Sequence, residues 1–496
     1  MLAPMRSNVA RAVLVVGVIT AIAGGLRLYR LGQPPEKVFD EVYYASDGCW
    51  YAGHDFEACG LDADAERSWV HPPLGKLAIA GGVGMFGNRP IGWRVMPAIA
   101  GTATVALAGA LAFLLTGSWV WAGVGALLTS TEHLLFVQSR VAMLDAFLAL
   151  LVVTGFTLLA WDRRRNLDPS PAPAAERARM EVPAAVGASH GPAVWLDQPP
   201  EDHGPWDEEP SPAPGWVRPL RLLAGAALGA AAAVKWSGAL ALAAAVILAV
   251  AWERTHARRS LAPRPLLRAL RTQWAGLLLA FLVVPVLAYT ASWIPWFAER
   301  DQVSIAGWYD HHRAMARYHL DLSTVNEDGE PIHPYMSEAW SWPILRRPVA
   351  YFFDAEGWGE PGGTAREILA IGNPVVFWGG LVVIPYLLLA WWRRRRWEAG
   401  AVALAVLVQY LPWLAVSRPL FLFYMTPVAP FLALGLMLAA RDLASARPGG
   451  RRMLAPVAAV VVGAAVATFV FFWPVLTGTS ISTTSWQTRM WLGSWV

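Results

Sequence analysis

Charge is what this chain has least of. Only 15% of its 496 residues are Asp, Glu, Lys or Arg, against about 25% in an ordinary soluble domain. With 56% hydrophobic residues and a mean hydropathy of +0.39, this shortage places the chain among membrane proteins. The formal charge is only +4, so no basic excess argues for nucleic acid. No Walker A or Rossmann fingerprint is present, which leaves hydrolysis of a cytosolic nucleotide without support. Cysteine is scarce too: Cys49 and Cys59 are the 2 in the chain. They can be thiols or, in an exported loop, a disulfide, and spacing does not decide between them. With only His54 between them they do not complete a zinc site. Tryptophan, by contrast, is abundant, with 27 copies, as suits side chains that favour the membrane–water interface.

A helix needs about 20 apolar residues to cross the hydrocarbon core. The hydropathy pattern predicts about eleven such spans: Ala12–Leu31, Val95–Leu115, Trp119–Phe136, Val141–Trp161, Leu220–Val234, Ala239–Trp252, Trp274–Ser292, Pro374–Trp392, Ala401–Val416, Leu420–Ala440 and Leu454–Trp473. The fifth and sixth are short and rich in Ala and Gly. Arg6 and Arg11 precede the first span, which lacks a clear small-residue cleavage site and reads as retained. Leu74–Phe86 reads as an interfacial segment. Arginines cluster at 163–165, between Arg254 and Arg271, at 393–396, and at Arg441, Arg447, Arg451 and Arg452. An odd count of spans puts all these clusters and the N-terminus on the cytoplasmic side. The expectation is a multi-pass plasma-membrane protein with its C-terminus outside.

The expected organisation follows. Residues 1–161 form an N-terminal transmembrane module with an external loop at 32–94. Residues 162–217 are a flexible cytoplasmic linker rich in Pro and Ala. Residues 218–292 are central transmembrane helices, 293–373 a long external loop, and 374–496 a C-terminal transmembrane module.

Several polar residues stand out in or beside apolar sequence. Asp40 and Glu41 follow the first span; carboxylates there can act as general base or metal ligands, or simply cap a helix. His71-Pro72-Pro73-Leu74-Gly75-Lys76 presents His71 and Lys76 on a proline-stiffened turn, where Lys76 can meet a lipid phosphate or snorkel. Asp145 lies in an apolar run, where a bare charge is expensive; Arg140 is a candidate partner, or faces an anionic ligand. Lys235 and Arg418 are isolated cations suited to phosphate or to snorkelling. The long loop carries His311, His312, His319, His333 and Tyr335, without metal-ligand spacing.

Taken in order, Phe39-Asp40-Glu41-Val42-Tyr43-Tyr44, His71 to Lys76, Arg140 with Leu144-Asp145-Ala146-Phe147, and Val234-Lys235-Trp236-Ser237-Gly238 resemble the protein O-mannosyltransferase family. His333-Pro334-Tyr335, Ser341-Trp342-Pro343 and Asn373-Pro374 with Phe377-Trp378 are similar to it as well. The resemblance implies an all-α polytopic GT-C glycosyltransferase fold with short helices in the external loops. It also implies a polyprenyl-phosphate mannose donor and transfer to Ser or Thr of exported polypeptides. The 293–373 loop is too short for the β-trefoil of eukaryotic members, so the bacterial, actinobacterial form is expected. Asp40 matches the family's catalytic acid position, with Glu41 orienting the loop or the acceptor. Arg140, Lys76, Lys235 and Arg418 are candidates for the donor phosphate, and His71, Asp145, His333 and Tyr335 for positioning. No cofactor or metal is implied; membrane lipid and a protein translocon are further candidate partners. A GT-C enzyme moving another sugar, and a lipid or solute transporter, are the competing readings; the latter requires charges along several spans.

Overall fold

In the computed structural model, which describes residues 2–61, 69–167, 215–298, 304–446 and 454–496, the first apolar run becomes α1 (Leu2–Leu28). The loop after it folds into α2 (Glu41–Tyr51) and α3 (Leu74–Phe86). There follow α4 (Pro90–Thr116), α5 (Trp119–Ser130), α6 (His133–Gln138) and α7 (Asp145–Asn166). Most of the expected 162–217 linker, and the cluster residues Arg447, Arg451 and Arg452, lie outside the described residues. The chain continues with α8 (Pro219–Val234), α9 (Gly238–Arg259) and α10 (Pro265–Ala291), the last containing a π turn at Leu279–Val283. The long loop holds α11 (Ile294–Ala298), α12 (Ile305–Asp321), β1 (Val349–Glu356) and β2 (Thr364–Ala370). Last come α13 (Pro374–Arg394), α14 (Trp397–Tyr410), α15 (Ala429–Ser445), α16 (Ala455–Thr477), β3 (Ile481–Ser482) and α17 (Thr483–Gln487).

Each of the segments expected to span holds a helix, but they differ in length. Among the described residues, 8 helices are long and apolar enough to cross a bilayer; with them the chain is a multi-pass membrane protein. The helices α5, α8 and α15 have 12, 16 and 17 residues, short of the usual span. The third expected span is interrupted at 131–132, between α5 and α6, and the fourth loses its start to a non-helical stretch, 139–144, so α7 begins at Asp145 instead of Val141. The small residues of α8 have a packing reason. A Cβ on Gly225 would run into the carbonyl of Ala280, and one on Gly229 into the backbone of Pro285. Glycines four apart thus let the α8 and α10 backbones touch beside the π turn.

The helical body is as expected for the fold class, with one addition. Strands β1, β2 and β3 form an antiparallel sheet in that order. Strand β3 follows α16, so the sheet ties the C-terminal tail to the long loop: Thr364 pairs with Ser482, and the Gly478 N–H donates to the Glu367 carbonyl at 3.1 Å. Arg347 donates to the carbonyls of Ser494 (2.9 Å) and Val496 (3.0 Å). The pattern of β1 is too short and too mixed to separate from loop in the sequence.

Candidate active site

Asp40 is the residue before α2. Its neighbour Phe39 has a left-handed backbone, φ 47°, a costly conformation for a non-glycine residue that persists only when its surroundings impose it. They do: the Phe39 ring stacks on Tyr351 at 4.6 Å and meets His333, Phe421 and Phe423 edge-on at 5.7, 6.3 and 5.7 Å. His333 therefore packs against Phe39. Its Nδ1 accepts the Tyr335 N–H at 3.2 Å, and Tyr335 lies under the Arg347 guanidinium.

Glu41 is fully buried, and both its oxygens are filled. Oε1 accepts from Arg94 Nε at 2.8 Å and the Ala142 N–H at 2.7 Å; Oε2 accepts from Arg94 Nη2 at 2.6 Å and the Val38 N–H at 3.0 Å. Arg94 also donates to the carbonyls of Leu31, Pro34 and Glu36. One ion pair thus fastens the loop after α1 to α4 and to the 139–144 stretch. A carboxylate so occupied organises the loop, and sequence inspection missed its partner because Arg94 reads as an ordinary span-end arginine.

Asp145, at the start of α7, is buried, and Lys235, just past α8, donates to its Oδ2 at 2.7 Å. The expected Arg140–Asp145 pair is not formed. The Arg140 side chain is instead drawn to the exposed carbonyls at the end of α1, donating to Leu26, Arg27 and Tyr29 at 3.1, 2.8 and 2.8 Å. Lys76 is likewise turned inward, onto buried Asp47 at 2.9 Å, and does not snorkel.

A cavity of about 180 Å³ opens at the Asp145–Lys235 pair, lined also by His71, Trp236, Ser237, His319, Trp413, Arg418 and Tyr424. The structure brings His71, Asp145, Lys235 and Arg418 to its wall; Lys76 and Arg140 are not among the lining residues. His71 and His319 stack at 5.5 Å. His319 Nε2 donates to the Val70 carbonyl at 2.9 Å, while Nδ1 accepts from Arg418 at 3.3 Å. Both imidazoles are held neutral, their pKa values lowered first by burial and then by the surrounding cations. Behind Trp236 a hydrogen-bond chain runs from its indole N–H to the Tyr289 hydroxyl (2.9 Å) and on to His312 (2.7 Å). Trp413 and Tyr424 lie in apolar sequence that carries no signal of a site.

Asp40 stands within electrostatic reach of this pair. Burial raises its pKa to about 6, opposed by Lys235 and reinforced by Asp145. Among the described residues no group of three or more His, Cys, Asp or Glu is placed to hold a metal ion. Asp40 is not among the residues that line the cavity, but the arrangement sets a carboxylate tuned near neutrality within electrostatic reach of the fixed cations on its wall, which suits proton abstraction next to a departing anion.

The fold is of the GT-C membrane type. The structure resembles the S. cerevisiae protein O-mannosyltransferase Pmt1-Pmt2 complex bound to the sugar donor, with a TM-score of 0.73 at 15% identity, covering 100% of this chain and 94% of that one. It also resembles ArnT from Cupriavidus metallidurans bound to undecaprenyl phosphate, with a TM-score of 0.52 at 14% identity, covering 94% and 77%. In sequence, residues 89–168 match the dolichyl-phosphate-mannose-protein mannosyltransferase family model, and 304–495 match the C-terminal four-transmembrane region of protein-O-mannosyltransferase. The polyprenol-phosphate-mannose–protein mannosyltransferase of Mycobacterium tuberculosis is 31% identical over 98% of this chain and 92% of its own length. That of Corynebacterium glutamicum is 27% identical over 97% and 92%. The chain belongs to the protein O-mannosyltransferase family.

Proposed function

We propose that the chain transfers mannose from polyprenyl-phosphate mannose to Ser or Thr hydroxyls of exported polypeptides, with Asp40 as general base and inversion at the anomeric carbon. The observation that carries this is the Asp40 carboxyl, raised to about 6 by burial beside Lys235 and Asp145. A Ser or Thr hydroxyl is a poor nucleophile and needs a positioned base. A carboxylate with a pKa just below neutrality is mostly ionised at pH 7 and still basic enough to accept the proton.

The acceptor oxygen attacks the anomeric carbon as its proton passes to Asp40. The bond from that carbon to the phosphate oxygen breaks, and its electron pair leaves with the lipid phosphate. Lys235 and Arg418 stabilise the growing charge. Asp145 holds Lys235 in place, and Glu41 with Arg94 holds the loop that carries Asp40. A single displacement on a β-linked donor yields an α-mannoside. The Cys49–Cys59 disulfide supports placing this loop on the oxidising, external face of a plasma membrane, with a translocon as a candidate source of acceptor. The charges of the site sit at helix ends, which favours transfer over a transport path.

The test is transfer by the purified protein from defined lipid-phosphate sugars to a Ser/Thr peptide, with the anomeric configuration read by NMR. A mannosyl donor giving an α product, lost in Asp40→Asn with donor binding retained, is the expected result. Failure with the mannosyl donor and success with an arabinosyl one sinks the substrate assignment; a β product sinks the single displacement.

A further inference from the structure

The helices that frame the Asp40 site also frame a second cavity at their other ends. From Asp145 to Arg163, α7 rises about 27 Å at 1.5 Å per residue, and α9 runs the same way from Gly238 to Arg259. This second cavity, of about 810 Å³, lies between the ends of α7, α9 and α13 and the start of α14. Five arginines line it: Arg163, Arg254, Arg258, Arg259 and Arg395. Among the described residues no acidic one does.

The described acids that adjoin these residues in sequence are already engaged. Asp162 and Glu253 are buried on Arg218 and Arg221, and Glu398 pairs with Arg396 and Arg441. Arg254, Arg258, Arg259 and Arg395 make no ion pair among the described residues and are exposed. Arg163 is held over the Trp397 ring at 4.1 Å. Arg395 has a left-handed backbone, φ 53°, where the chain turns from α13 into α14. The remaining walls are apolar or aromatic: Leu248 is buried at the base on α9, and Leu388, Trp391 and Trp392 lead outward on α13. Trp392 is 66% exposed.

A basic, aromatic cleft between helices at the edge of their apolar segments has the chemistry of a lipid headgroup site. Arginine forks match phosphate oxygens, and a tryptophan rim sits at headgroup depth. We infer that this cleft binds an anionic glycerophospholipid of the bilayer, its phosphate among the arginines and its acyl chain along Leu388 and Trp392. The phosphate could also come from solution, but the continuous apolar wall favours the lipid.

Native mass spectrometry of the full chain in detergent tests this, with phosphatidylglycerol, phosphatidylcholine or inorganic phosphate added. The expected result is selective retention of phosphatidylglycerol. The triple variant Arg254→Gln, Arg258→Gln, Arg395→Gln loses it by on the order of 100-fold, a few-fold for each arginine. Trp392→Ala loses part of the affinity for phosphatidylglycerol. Equal retention of phosphatidylcholine, full retention by a folded triple variant, or displacement by millimolar phosphate overturns the assignment. Lipid bound only after deletion of residues 168–214 overturns it too, and gives the cleft to that acid-rich segment.

Discussion

If Asp40 is the base, the pH dependence of transfer reports its surroundings. With a pKa of about 6, the carboxylate fraction is about 0.09 at pH 5 and about 0.91 at pH 7, so single-turnover transfer rises roughly tenfold between them. An unperturbed aspartate, ionised throughout that window, gives a flat profile. The donor is a phosphodiester and stays ionised, so the limb belongs to the protein. The cluster then allows a test of sign. Lys235 lowers and Asp145 raises the Asp40 pKa. Lys235→Met removes the lowering charge, and the limb moves to higher pH. Asp145→Asn removes the raising charge and leaves Lys235 as an uncompensated cation, and the limb moves to lower pH. A shift of one unit corresponds to about 1.4 kcal/mol, well within what one nearby charge supplies. The assay is single-turnover transfer of labelled mannose from pH 4.5 to 8, with amplitudes separating folded fraction from rate. Limbs that move in the same direction, or a wild-type profile flat from pH 5 to 7, would refute the assignment of the limb to Asp40.

The Glu41–Arg94 pair predicts a stability effect. Glu41→Leu leaves Arg94 buried without its counter-charge and costs about 3–5 kcal/mol, read as a lowered Tm in detergent; an unchanged Tm contradicts the clamp. Glu367 accepts from the Trp486 indole, and burial raises its pKa to about 8. The folded state therefore holds a proton that the unfolded state releases near pH 4.5, and stability falls as pH rises from there towards 8. Glu367→Gln removes that dependence, so its Tm gains over the parent at pH 8 more than at pH 5. Loss of the Cys49–Cys59 bond, with a sequence separation of 10, costs about 3 kcal/mol of loop constraint; proteolysis within 41–61 reads it, and equal cleavage with and without reductant argues against it. Phe39→Gly relieves the left-handed backbone but empties the ring's place, so transfer drops while donor binding persists.

The membrane class, the family resemblance and most of the polar site residues are legible in the sequence, because charge in apolar sequence is rare and costly enough to stand out. Asp145, Lys235 and Arg418 stand out for that reason, whereas Asp40, Glu41 and His71 lie in polar loop sequence and stand out only through the family resemblance. Local order also sets the main apolar helices, whose backbone hydrogen bonds close within each segment. Partnership is different, since it depends on which helix ends meet. Only the tertiary structure gives Lys235 to Asp145 across 90 positions, turns Arg140 onto the end of α1, and spends Glu41 on Arg94. Only it brings Trp413 and Tyr424 to the cavity and joins the tail to the long loop through a sheet. Sequence spacing constrains neighbours on one helix, whereas a buried charge is satisfied by whatever packing brings close, and that is decided by the assembled bundle.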